Sequence, residues 1–444
     1  MRSILVWLWL TTVTASLMTC SAAHAEEQRS DARDEKIEAL EQSLRDLNEQ
    51  LQQLKTQQRE EQLLNEESRE KIAEVSVRLD EVDDSPLWDS SSWLNRFTMG
   101  GYGEFHANFE EGPSGDQFDI HRLVLYLGYD FNDWIKFHSE TEIEHAFVTD
   151  GAGGELVIEQ AYFDFLLSDL FNVRAGRILT PLGIINQKHE PVTFYGVERP
   201  SFAQFIIPST WSSDGIGLFG NISPSLKYQA YVVNGLNGSK FNALSGIRAG
   251  RIKERPGLHD AAFTGRLDYF PFALREVPFG QWLRLGVSTY AGGIDNGNQG
   301  KDPGINGDIQ IYSADFEYTV SRLDFRGAVA FESIDGAEQI GNGTAEEIFG
   351  WYLEGAYRFW PDKWKTGKLR NSDAAFFVRY DDFDTQYSMP SGVPKNPNGD
   401  RNEITVGMNF YLTPNVVLKA DYQFRDSEGD DPGDAVNFGI GWVF

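Results

Sequence analysis

Lys136, His138, Glu140, Glu142 and Glu144 fall at every second position, with Ile135, Phe137 and Ile143 between them. Side chains two apart in an extended chain share one face, so these residues form one charged row backed by an apolar one. Carboxylates fixed in a low-dielectric constriction raise the local cation concentration and bias which ions enter. A second set, Lys188, His189, Glu190, Glu198, Arg199 and Asp214, lies in or just beyond a long connector, Thr180 to Ser213. Acidic and basic groups opposed across a narrow eyelet set up a transverse field, which favours small dipolar or ionic solutes over greasy ones. Both sets are candidate pore-lining residues.

Catalytic chemistry finds little support. The chain has no G-x-S-x-G elbow, no phosphate-binding glycine loop and no zinc signature, so neither an enzyme nor a cofactor is expected. His189 beside Glu190 is read as structural and no metal site is expected, because no histidine cluster occurs at ligand spacing along the sequence. With 39 basic against 67 acidic residues the net charge is -28, of which -19 falls after residue 84. Such a balance disfavours nucleic acid as a partner.

A charged row backed by an apolar one needs strands with water on one side and lipid on the other. From Phe97 the period-two pattern recurs: Phe97, Met99, Gly101, Gly103, Phe105, Ala107 and Phe109 share a face, while Thr98, Tyr102, Glu104, His106 and Asn108 take the other. About sixteen such segments follow one another, an even number as bacterial barrels require. Tight connectors such as Phe131 to Trp134, Ser223 to Ser225 and Thr413 to Asn415 alternate with long Gly/Asn-rich ones at 234–260, 293–307 and 385–400. Trp134, Trp282, Trp360, Trp364 and Trp442 near strand ends suit interfacial girdles. The fold class expected is an all-β transmembrane barrel of about sixteen antiparallel strands over 97–444, with lipid and lipopolysaccharide around it. Mean hydropathy of -0.39 is compatible, since only alternate residues face lipid.

The remaining segments differ in material. Arg2, the apolar run Ile4 to Leu10 and the small-x-small site Ala23-His24-Ala25 mark residues 1–25 as an export signal. The single cysteine, Cys20, precedes that cut; a lipid-modified Cys20 is the competing reading, but Leu17-Met18-Thr19 lacks the small residue expected before it. Residues 26–84 carry a 3-4 apolar repeat from Ile37 to Val82, the seam of a coiled coil that would bring copies of the chain together on the periplasmic side. Its polar positions Gln58, Glu61, Asn65 and Ser68 interrupt the seam, a device that fixes register and strand number. Pro86 ends the segment, and 85–96 is a linker.

Two resemblances follow. The last residues, with Phe438, Ile440, Trp442 and Phe444 on one face, resemble the terminal assembly signal of bacterial outer-membrane barrels. Val173-Arg174-Ala175-Gly176-Arg177 with Pro181-Leu182-Gly183 resembles the phosphate-selective porin family; Glu198-Arg199-Pro200 leading to Asp214-Gly215-Ile216-Gly217, then Tyr231 to Gly235, then Gly265-Arg266-Leu267 with Phe270-Pro271, match it in order. That resemblance implies a trimeric sixteen-stranded outer-membrane barrel with inward-folding loops, whose anion selectors rely on ladders of Arg and Lys. Here the inward row holds Glu140, Glu142 and Glu144, and Ser212 and Ser213 stand before Asp214, where the family often has Arg. A weakly selective diffusion channel leaning toward cations is therefore expected. Arg248, Arg251, Lys253 and Arg255, folded inward with Lys188 and Arg199, would reverse that sign locally. The alternative function is a structural or adhesive barrel whose coiled coil spaces the outer membrane from the cell wall.

Overall fold

Alternation of apolar and polar residues leaves each strand with one face for lipid and one for a lumen, and closure then satisfies every edge. A computed structural model describes residues 94–111, 115–145, 154–252, 255–257, 259–273, 281–297 and 304–444. The expected export signal, Cys20 and the expected coiled coil with Gln58, Glu61, Asn65 and Ser68 lie outside the described residues.

The first strands are β1 (Phe97–Glu110), β2 (Gln117–Asp130), β3 (Ile135–Glu144) and β4 (Glu155–Leu166). They are followed by β5 (Asn172–Leu179), β6 (Ser212–Ser223), β7 (Leu226–Asn234) and β8 (Ala261–Tyr269). The second half has β9 (Trp282–Gly293), β10 (Asp308–Val320), β11 (Leu323–Ile334) and β12 (Glu347–Arg358). The last are β13 (Asp373–Ser388), β14 (Asp400–Thr413), β15 (Val416–Ser427) and β16 (Ala435–Val443). Each strand pairs antiparallel with its neighbours in the chain, and β16 pairs with β1 to close the barrel. The closing register sets Phe105 against Ile440 and Ala107 against Phe438, so the apolar rows of the first and last strands are continuous. Just past β16, Phe444 exchanges two backbone hydrogen bonds with Gly101, each 2.9 Å.

The outer face is the apolar row: Met99, Phe118, Leu156, Val287, Phe424 and Phe438 are all exposed, as a lipid-facing surface requires. Among the described residues no helix is long and apolar enough to cross a membrane. Trp134, Trp282, Trp360, Trp364 and Trp442 all lie at one rim, that of the turns 131–134, 224–225, 321–322 and 414–415. Two connections at this rim, 270–281 and 359–372, are longer than the tight turns the sequence emphasised.

The lumen is not polar throughout: Tyr231, Val233, Tyr290, Ile309, Ile311 and Ile348 point inward from the long-loop halves of β7 to β12 and are almost fully buried. They alternate correctly with outward residues, and what keeps them from water is a loop packed on them from within.

Candidate constriction site

That loop is 180–211, between β5 and β6. Its sequence begins with a sharp reversal, Pro181-Leu182-Gly183, where Gly183 adopts φ +63, a conformation costly for residues with a Cβ. Asn186 then fastens its base. The Nδ2 group donates to the carbonyls of Thr180 (2.7 Å) and Trp211 (3.1 Å), while Oδ1 accepts from the Trp211 amide at 2.7 Å. Leu182, Ile184, Ile185, Phe202, Ile206 and Trp211 bury against the apolar half of the lumen. The loop therefore folds inward because its own apolar side chains complete a core that the strands leave half built.

Charged lumen groups clamp the rest of the loop. Lys419 donates to the carbonyls of Gly196 (2.8 Å) and Phe194 (3.1 Å), and Arg326 to that of Thr193 at 2.8 Å. The Val197 and Phe202 amides donate to Asp421 (2.5 Å) and Asp381 (3.1 Å), and the Tyr195 hydroxyl to Asp324 at 2.7 Å. His189 is buried between Glu140 (3.4 Å) and Glu159 (3.6 Å). Burial alone would depress its pKa, but the two carboxylates outweigh that and raise it from 6.5 to about 10.

Beside the loop remains a cavity of about 160 Å³, room for a handful of waters or one small solute. Its wall on β1 to β4 carries Glu104, Glu142, Glu144 and Glu159 around a single guanidinium, Arg122. Arg122 Nε lies 2.6 Å from Glu104, Nη1 3.0 Å from Glu142 and Nη2 3.9 Å from Glu144. Opposite, the loops present Arg199, Arg248 and Arg251 with Glu198. Arg199 donates to Ser209 Oγ and the His189 carbonyl, and Arg251 to the carbonyls of Arg248 and Ser209, all neutral acceptors. Burial and the neighbouring Arg248 cation lower Arg251 to about 10. Burial acts to raise Glu198, but His106 Nδ1 at 2.8 Å holds that carboxyl well below its usual range. Arg177 of β5 also borders the cavity, so the side formed by β1 to β4 is mainly acidic and the side formed by the loops and Arg177 mainly basic.

The other sequence candidates lie elsewhere. Glu140 sits under the loop, clamping His189 and accepting from Gln160, rather than lining the cavity. Lys136 pairs with Asp130 (2.6 Å) toward the short-turn rim, and Lys188 with Glu317 (2.7 Å) on β10. Glu190 faces Tyr126. Asp214 shares the strand face of the exposed Ile216 and pairs with Arg177 at 3.6 Å, so it leaves the acidic row. Arg255 borders a separate hollow with Lys240, and Lys253 lies outside the described residues.

Arginines also point inward, on strands other than β3. Arg266 and Arg284 line the lumen, but Asp315 lies 2.8 and 2.7 Å from them, and Asp268 2.9 and 2.8 Å. The network bridges Gly286, whose register partners are Asp268 and Asp315; a Cβ there would sit 2.2 Å from Arg266 Nη2. Arg326 pairs with Glu354 (3.0 Å) and Arg379 with Asp381 (2.8 Å). Strand parity alone would have turned these residues inward; the register that matches each with a carboxylate is a tertiary fact.

Comparison with known proteins bears on the whole barrel. A family model for phosphate-selective porins O and P matches residues 98–436. An uncharacterized protein of Aquifex aeolicus (strain VF5) is 34% identical over 369 residues, covering 78% of this chain and 80% of that protein. Among solved structures, OmpF of Salmonella typhi in complex with daunomycin superposes with a TM-score of 0.51 at 11% identity, covering 78% of this chain and 97% of that one. OprB of Pseudomonas putida gives 0.50 at 13% identity, covering 78% and 94%. At such identities these two speak for the fold alone.

Proposed function

Since the chain belongs to the phosphate-selective porin O and P family and is an outer-membrane porin, we propose that it works as a trimeric channel for passive diffusion of small hydrophilic or ionic solutes, with weak charge selectivity. The observation that carries this is the cavity beside loop 180–211, where four carboxylates around Arg122 face Arg199, Arg248 and Arg251. A solute there meets a transverse field rather than a net charge, and small dipoles can align in it. Tight phosphate binding needs guanidinium groups whose charge is free. Arg266, Arg284, Arg326 and Arg379 are already matched by carboxylates at 2.7–3.0 Å, and the arginines left at the cavity, Arg199, Arg248 and Arg251, face the carboxylates of the opposite wall.

The three arginines on the loop side pull toward anions and the barrel side toward cations, which leaves the preference small. Trimer formation rests on the 3-4 repeat of residues 26–84. Single-channel conductance with reversal potential across a KCl gradient tests the proposal. A small, steady conductance with a reversal potential near zero is expected. Absence of conductance would favour the structural barrel.

A further inference from the structure

The channel has no use so far for three histidines that sequence separates and topology gathers. His106 on β1 and His121 on β2 stack with centroids 4.2 Å apart and planes 8° apart. His145, just past β3, meets His121 edge-on at 5.5 Å. Two groups of potential ligands share His121: His106, His121 and Glu198, and Asp119, His121 and His145, with the donor atoms of each group all within 4.8 Å of one another. No ligand motif is visible along the chain because the donors come from adjacent strands.

The two groups are not equivalent. His106 is already held by Glu198 (2.8 Å) and Glu104 (3.3 Å) inside the Arg122 knot. Asp119 and His145, by contrast, make their one side-chain hydrogen bond among the described residues with each other, at 2.5 Å, and both are part exposed. Asp119 pairs with His106 of β1, His121 sits at a β-bulge that turns it to the cavity beside Arg122, and the backbone delivers the third donor: the His145 amide donates to the His121 carbonyl at 3.1 Å. His145 holds φ +49 to do so, a region few side-chain-bearing residues enter. The two imidazoles are therefore fixed together by the main chain, before any ion arrives.

The geometry points to a site for a borderline first-row divalent cation of the zinc or cobalt class at Asp119, His121 and His145. Two imidazoles and one carboxylate suit such ions, whereas magnesium and calcium prefer oxygen alone. A metal–nitrogen bond near 2 Å places ligands roughly 3–3.5 Å apart, so donors within 4.8 Å need only small side-chain rotations. Arg122 Nη2 donates to His121 Nε2 at 2.8 Å and must yield that contact, while Glu104 and Glu142 keep hold of the guanidinium. Three ligands leave coordination positions open to water or a passing solute.

The test uses the untagged full chain in detergent, titrated with Co²⁺ and followed by visible absorption. Stoichiometric binding, displaced by Zn²⁺ but not by Mg²⁺, is expected. H145A, H121A and D119N should each weaken Co²⁺ binding by roughly tenfold or more, the scale on which losses around a metal site are felt. H138A, which alters another lumen histidine 3.9 Å from Asp164, should not change it. Circular dichroism confirms that each barrel is folded, and H145A, at the strand end, decides the matter if H121A does not fold. Wild-type protein without the Co²⁺ band, unchanged affinity in H145A, or equal loss in H138A would overturn the assignment. None of these readouts depends on conduction.

Discussion

Replacing His189 should loosen the loop that narrows the pore. Its Nδ1 faces the Asn186 carbonyl at 3.2 Å and its Nε2 faces Glu140 and Glu159 at 3.4 and 3.6 Å. Acceptors on both sides require a proton on both nitrogens, so the ring is an imidazolium. A group whose pKa is raised by folding, here from 6.5 to about 10, contributes stability that is complete below the lower value and lost as pH rises through the higher one. Removing the cation at neutral pH leaves two buried carboxylates without it, a cost of roughly 3–5 kcal/mol. At 1.4 kcal/mol per factor of ten, local release of the loop should become roughly two to three and a half orders of magnitude more frequent. Single-channel records should show H189A flickering into a wider state at neutral pH. The wild type should do so only as pH passes about 10, with the added step absent from H189A. Matching flicker in both proteins at neutral pH, or a wild-type alkaline response that persists in H189A, would refute the clamp.

Three further outcomes are expected. Gly286→Ala should lower the temperature at which the folded barrel unfolds on gels, because its Cβ would meet Arg266 and Asp315 at 2.2 and 2.5 Å and overpacking costs about 1–3 kcal/mol; Gly355→Ala, with only ordinary contacts at 3.5 Å to Phe325, should be nearly silent. Removing Phe444, which is hydrogen-bonded to Gly101 across the closure, should reduce the yield of assembled barrel in membranes more than it lowers the stability of barrel already folded, and equal effects would argue against a targeting role. Deleting residues 26–84 should weaken the oligomer in detergent, and complete indifference would reassign the coiled coil to an outside partner.

The barrel was legible because lipid and water impose a two-residue period over most of every strand, broken only at bulges such as those at His121 and Glu159. Glu140, Glu142 and Glu144 face inward as their spacing requires. What their spacing does not carry is depth and partner. Glu140 lies under the loop while Glu142 reaches Arg122, and that difference is set by the register of β2 on β3 and by where the loop crosses. The apolar lumen half was missed for a related reason: Ile309 and Ile311 look like any inward pair until loop 180–211 covers them. Arg266, Arg284 and Arg379 follow the same parity as the acidic row and were within reach of the same count. His106, His121 and His145 were not, since only strand pairing brings them together.

Reversal potential across a KCl gradient, recorded with increasing phosphate on one side, tests the account most directly. A cavity acidic on its barrel side and basic on its loop side predicts a reversal potential near zero. Any residual preference should fade as salt rises, because the Debye length falls to about 3 Å at 1 M, and conductance should be indifferent to millimolar phosphate. A clear anion preference with phosphate block would contradict the account, for it would mean that Arg199, Arg248 and Arg251 prevail over the carboxylates facing them.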